Sequence, residues 1–199
     1  MTDIALFHSV LGVRPGITDA ADRLRAAGHD VLVVDQYDGR VFDDYAPAGR
    51  YVDRIGFPAL MAAALAGVQD LPDGFVAAGF FNGAGMAQYV ATQRRCAGIL
   101  LFSGALPLAM LDTDRWPDGL PAQLHNAEGD PLRHQEWIDS VVHDARRAGA
   151  SVEVFDYQAT GHLFTDASLP AEYDPQATDL LWQRALAFCA SIGNQAPAR

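Results

Sequence analysis

The chain has 199 residues, half of them hydrophobic, and carries 25 acidic against 14 basic residues for a formal net charge of −11. That length predicts one domain over residues 1–193 with a sizeable buried core, and residues 194–199 as a frayed tail. The acidic balance excludes the basic footprint that nucleic acid or an anionic membrane surface needs, and no apolar run approaches the ~18 residues of a membrane span.

Strand-like and helix-like stretches alternate along the chain. Residues 3–7 read as a strand that leads into the loop His8-Ser9-Val10-Leu11-Gly12. A helix starts near Pro15, turns Leu24 inward and stops at Gly28. The run Val31-Leu32-Val33-Val34 reads as a strand buried on both faces, with Asp35, Tyr37 and Asp38 at its carboxyl end. Residues 39–56, polar and aromatic, read as an excursion over the sheet edge, and 57–69 resume a helical pattern. Residues 74–78 form a strand running into Gly79-Phe80-Phe81-Asn82-Gly83, and a helix leaves from about Met86. A strand at 98–102, a long loop at 104–120, a strand at 122–126 and a helix at about 132–148 follow. The sixth strand is 152–155, and the last helix runs from Pro175 to Ser191. Six strands alternating with helices predict a doubly wound α/β domain, a mostly parallel six-stranded sheet with helices on both faces.

Two cysteines, Cys96 and Cys189, make no framework, which fits a reducing, cytoplasmic setting with both as small core residues. All the basic residues other than histidine are Arg, a composition common in GC-rich bacterial genes. The expected partner is a small-molecule substrate or ligand, with no nucleic acid and no membrane, and the chain is expected as a monomer or homodimer. Neither a cofactor nor a metal is expected. No histidine pair has helical ligand spacing, and His8, Asp38 and His162 are separated in sequence. The glycines at 79, 83 and 85 lack the lysine of a P-loop and the dinucleotide spacing.

In open parallel sheets ligands sit beyond the carboxyl ends of the strands, where Ser9-Val10, Tyr37-Asp38, Phe81-Asn82, Asp130 and His162 fall. Gly79 and Gly83, four apart across a strand-to-helix turn, frame a nucleophile elbow, G-x-S-x-G, with Phe81 at its centre. The order elbow, acid, histidine is that of α/β-hydrolases. On Leu6-Phe7-His8-Ser9-Val10-Leu11-Gly12, Asp35-Gln36-Tyr37-Asp38-Gly39, the elbow, Ala127-Glu128-Gly129-Asp130-Pro131 and Gly161-His162-Leu163-Phe164-Thr165-Asp166, the chain resembles the dienelactone hydrolase family of α/β-hydrolases over nearly its whole length. The resemblance implies the α/β-hydrolase fold and hydrolysis of lactones and small esters. It also implies Asp130 as the acid, His162 as the general base, and the backbone N–H groups of Asn82 and Val10 as the oxyanion hole. Two positions depart from the family: Phe81 replaces its Ser or Cys, and Ser9 stands in the first loop where the enzymes that name the family carry glutamate.

Phenylalanine cannot form an acyl-enzyme. Held at a strained φ, it also costs on the order of 1–3 kcal/mol. The leading expectation is non-covalent acid/base chemistry by Asp130 and His162 on a small, largely apolar lactone, ester or ketone. The alternatives are a binding pseudoenzyme whose pocket is lined by Phe81, Tyr37, Met86 and Phe164, a hydrolase inactivated by Phe81, and Ser9 as another nucleophile. His8 is either a pocket acid/base or a hydrogen-bonded structural residue. His125 is expected in or near the core, and His29, His134 and His143 in solvent. Tyr37, Tyr45, Tyr51, Phe57 and Trp116 either wall the site or simply pack the long loops.

Overall fold

All six expected strands form in the computed structural model, which describes residues 1–195. They are β1 (Asp3–Phe7), β2 (Asp30–Val34), β3 (Phe75–Phe80), β4 (Cys96–Phe102), β5 (Ala122–Ala127) and β6 (Val152–Tyr157). The sheet order is β2-β1-β3-β4-β5-β6 and every pairing is parallel. β3 and β5 are buried along their whole length, as strands covered on both faces must be.

The helices are α1 (Pro15–Ala26), α2 (Tyr45–Ile55), α3 (Phe57–Gly67), α4 (Asn82–Gln93), α5 (Gln135–Arg147) and α6 (Pro175–Gln195). The chain leaves β1 toward β2 on one side, and from β3 onward it steps the other way. Right-handed crossovers therefore place α1 on one face and α4 and α5 on the opposite face. α6 packs on β4 and β5 and reaches α1 through the Arg23–Asp179 ion pair at 3.9 Å. The reversal of strand order opens a crevice between the carboxyl ends of β1 and β3, where a doubly wound sheet takes its ligand.

Several local expectations are corrected. β2 is an edge strand, and Leu32 is 37% exposed. An all-apolar run carries no mark that separates a central strand from an edge strand whose side chains lie under a neighbouring helix. The 39–56 segment is largely helical. Asp44 caps α2 by accepting from the Ala46 N–H at 2.7 Å, and Ala48 and Val52 point inward one turn apart. α4 begins at Asn82 directly after the turn, α5 begins at Gln135, and α6 continues past Ser191 to Gln195. The helix thus includes the first two residues of the expected frayed tail, whose other four lie outside the described residues. No helix among the described residues is long and apolar enough to cross a membrane.

Candidate functional site

The turn between β3 and α4 is as tight as its glycines imply. A Cβ on Gly79 would overlap the Gly83 carbonyl, and one on Gly83 would overlap the carbonyls of Phe7 and His8. Phe81 sits between them at φ 53°, ψ −116°, a strained conformation for a residue with a side chain. It is held there by its N–H donating to the Phe102 carbonyl at 2.8 Å and by its carbonyl accepting from Ala84 N at 3.0 Å. Asn82 opens α4, so its N–H has no partner within the helix. That residue and Val10 both line the same cavity.

Across the turn, His162 Nδ1 lies 2.7 Å from Asp130 Oδ2, with both side chains almost fully buried. Asp130 Oδ1 accepts from the Leu132 N–H at 2.8 Å, which fixes the carboxylate plane. A carboxylate at Nδ1 sets the tautomer: Nδ1 donates, and Nε2 keeps its lone pair. Nε2 is buried without a hydrogen-bond partner. The loop carrying His162 is anchored by Glu172, which accepts from Leu163 N at 2.7 Å and from the Tyr45 hydroxyl at 2.9 Å. Burial, reinforced by the negative Glu172, pushes the Tyr45 hydroxyl far above its ordinary value.

The imidazole does not open into free space. The Phe81 ring meets it edge to face at a centroid distance of 4.2 Å, with Tyr45 at 5.8 Å on another side. Beyond Phe81 lies a cavity of about 370 Å³ beneath α2, bounded by the loops after β1, β3, β4 and β5 and by the start of α5. Its walls are mainly apolar, with Val52, Phe57, Leu106, Trp137 and Ile138 prominent. Phe81 and Asp130 line it; His162 does not, and is 2% exposed.

The other expected site residues fall elsewhere. Met86 is buried inside α4, and Phe164 packs on Tyr157 in the core at 5.4 Å. Both are apolar residues near the elbow or the histidine in sequence, but each points into the sheet packing and away from the cavity. Tyr37 belongs to an aromatic cluster with Tyr51 and Phe42 and also lies outside the cavity. Burial pushes its hydroxyl up to about 12, an effect the neighbouring Asn82 side chain partly opposes. Its oxygen and both polar atoms of the Asn82 carboxamide lie close without closing a hydrogen bond.

His8 is structural. Its Nδ1 donates to the Ser9 carbonyl at 2.7 Å, its Nε2 accepts from Gln36 N at 3.0 Å, and burial lowers its proton affinity. Ser9 lines a separate narrow crevice with Arg14 and Asp166, and its hydroxyl accepts from Leu11 N at 3.2 Å.

Tyr45 and Phe57 do wall the cavity. Trp116 does not; it packs within its own loop, its indole donating to the Leu120 carbonyl at 3.0 Å. His125 is in the core as expected. His29, expected in solvent, is buried at the end of α1, whereas His134 is exposed and stacks on Trp137 at the cavity rim. Both thiols are pushed up to about 12 by burial, and both cysteines are free. No group of three or more His, Cys, Asp or Glu side chains among the described residues could hold a metal ion.

Sequence reasoning passed over Ser103, the residue after β4, and Asn126, one residue before the end of β5, both of which line the cavity. Their position at strand carboxyl ends was the available signal, and neither belongs to a motif.

A six-stranded parallel sheet with a β3–α4 elbow and an acid–histidine pair after β5 and β6 defines an α/β-hydrolase architecture. The chain belongs to the dienelactone hydrolase family, whose model matches residues 2–193. Among solved structures it is similar to m3DLH at 25% identity and a TM-score of 0.75, with 96% of this chain and 86% of that chain covered. It shares the fold of the dienelactone hydrolase-like promiscuous phosphotriesterase P91 from metagenomic libraries (23% identity, TM-score 0.77, 96% and 87% covered). It also shares the fold of MGS-M1, an α/β hydrolase enzyme from a Medee basin deep-sea metagenome library (14% identity, TM-score 0.68, 96% and 84% covered). Comparison with curated proteins finds no match.

Proposed function

We propose that this member of the dienelactone hydrolase family binds a small, largely apolar molecule in the cavity beneath α2 and forms no acyl-enzyme. The observation that carries this reading is the Phe81 ring 4.2 Å from the His162 imidazole, with His162 outside the cavity lining. Covalent catalysis needs an oxygen or sulfur within hydrogen-bond reach of the base. Here that place holds an aromatic ring, which also stands between the base and the cavity contents. The walls favour an apolar ligand body, and burying one inside a preformed pocket supplies the affinity.

A second reading has its own support. Asp130 and His162 keep a 2.7 Å hydrogen bond, and Nε2 has no protein partner. If the Phe81 ring swings away, that nitrogen becomes a general base for non-covalent proton transfer or direct water attack on a lactone or ketone.

The two readings separate on one comparison. Incubated with a panel of small lactones, esters and ketones, the natural protein is expected to show saturable binding by calorimetry and no product over many equivalents of ligand. Multiple-turnover product that disappears in His162→Ala, with folding intact by circular dichroism, would overturn the binding reading in favour of the second.

A further inference from the structure

Gly85 lies outside the 79–83 turn and stands at i to Gln88 at i+3, so the two share one face of α4. Both meet Leu106 in the loop after β4. The Gln88 carboxamide is 1% exposed and engages both sides of that residue. Its Nε2 donates to the Leu106 carbonyl at 2.9 Å, and its Oε1 accepts from the Leu106 N–H at 2.8 Å. The Leu106 side chain fills the space that Gly85 leaves open: a Cβ there would come within 2.2 Å of Leu106 Cδ1 and 2.9 Å of Cγ. The helix itself explains neither residue. Glycine weakens a helix relative to alanine, and a buried carboxamide is unfavourable unless its donor and acceptor are both used. Together they fix Leu106, the carboxamide pinning its backbone and the missing Cβ admitting its side chain.

Leu106 also lines the cavity beneath α2. Its N–H and carbonyl are both bonded to Gln88, so what it presents there is hydrocarbon. The loop that carries it cannot recoil freely. Gly104, also in the lining, passes so close to the elbow that a Cβ on it would lie 3.0 Å from the Phe81 carbonyl oxygen. With the backbone held at both points, a Leu106 side chain displaced from Gly85 has the cavity as its open space.

We propose that Gly85 and Gln88 form a seat on α4 that sets the position of Leu106, and that Leu106 in turn sets the largest apolar body the cavity accepts. This rests on the cavity being a ligand site, as proposed above. Protein interiors are packed too tightly for a side chain held in this way to yield without cost, so a ligand that already reaches Leu106 gains nothing from a longer chain. Below that limit, each further methylene taken out of water strengthens binding about fourfold.

The test titrates primary alcohols from butan-1-ol to dodecan-1-ol into the full chain, read by tryptophan fluorescence, to which Trp137 in the lining contributes. Affinity for the natural protein should rise about fourfold per carbon and then level off at one chain length. Leu106→Ala removes about three carbons from the wall and should move that limit about three carbons longer. The first alcohol beyond the natural limit should then gain at least about fourfold over the one before it. Gly85→Ala should push Leu106 into the cavity and shorten the limit by at least about one carbon. In the double variant with Leu106→Ala the Gly85 change should have no effect on the limit, because no side chain remains to be displaced. If Leu106→Ala folds poorly, Leu106→Val should lengthen the limit by about one carbon. A series that never levels off, or a limit that stays put in the Leu106 variants, would overturn the role of Leu106 while binding of the alcohols still upholds the cavity. A limit that moves in Leu106→Ala but not in Gly85→Ala would overturn the seat. If no alcohol binds the natural protein or any variant, the ligand-site reading falls and this inference falls with it.

Discussion

His125 and His162 are equally hidden from solvent but differ in what the fold asks of them. On β5, between β4 and the edge strand β6, His125 spends both nitrogens: Nδ1 meets the Tyr157 hydroxyl at 2.8 Å and Nε2 the Gln123 carboxamide oxygen at 3.2 Å. Its ring lies among Phe102, Phe155 and Tyr157, with Arg184 over the last two. His162, behind the Phe81 ring, spends only Nδ1. A histidine with both nitrogens engaged is part of the architecture, whereas His162, held by a carboxylate, keeps a nitrogen that no protein group uses and that the Phe81 ring packs beside. His8 falls on the architectural side by the same criterion, since both its nitrogens are bonded to backbone groups.

The sharpest way to break this contrast is Phe81→Ser. It places a hydroxyl at the elbow and removes the ring that covers Nε2. If His162 is a reserve base, hydrolysis of p-nitrophenyl acetate should rise at least about 10²-fold over the natural protein, within what a restored nucleophile contributes in such triads. A folded Phe81→Ser protein no faster than the natural one would show that the spare nitrogen is a remnant with no usable geometry.

The architectural histidine should reveal itself in acid. Burial pushes His125 down to about 3 from an ordinary 6.5, with the positive Arg184 acting in the same direction. The unfolded chain therefore takes up a proton below pH 6.5 that the folded chain refuses. Stability is level above that pH and falls as pH drops toward 3, by as much as about 1.4 kcal/mol per pH unit. The total is on the order of several kcal/mol, a large part of a typical domain's stability. Burial of His8 adds in the same sense. Urea midpoints measured between pH 7 and 4 should fall steeply, and His125→Gln should flatten that slope even if it lowers stability at pH 7. An unchanged slope would mean that other groups set the acid limit.

The framework was legible in the sequence because it is written in short-range signals. Apolar runs, the Gly79–Gly83 spacing and the order of elbow, acid and histidine each depend on a few neighbouring residues, and all reappear in the sheet and the turn. The contents of the cavity were less legible because they depend on which face a side chain takes. Met86 and Phe164 sit beside site residues in the chain, but helix and loop geometry turns them into the core. Ser103 and Asn126 are unremarkable letters until two strand ends bring them to one cavity. α2 was hidden by the polar content of its segment, although Tyr45, Ala48, Val52 and Ile55 carry a helical spacing. The run Val31–Val34 reads as buried on both faces, whereas β2 lies at the sheet edge, because edge position is a property of the sheet and leaves no mark in a short apolar run.

The smallest expected effect bears on the boundary between site and scaffold in the first loop. Ser9 is a hydroxyl one residue before Val10, and proximity in sequence alone would make it a candidate nucleophile. Its oxygen accepts one N–H from Leu11 at 3.2 Å, and the residue lines a crevice shared with Arg14 and Asp166 that is separate from the main cavity. Ser9→Ala should therefore cost only about 0.5–1.5 kcal/mol in thermal or urea unfolding, the net worth of one neutral hydrogen bond. Ligand affinity should be unchanged, as should any activity awakened by Phe81→Ser. Loss of that activity in the double variant, with the fold intact, would move the first loop from the scaffold into the reacting site and require the Ser9 hydroxyl to reach the cavity.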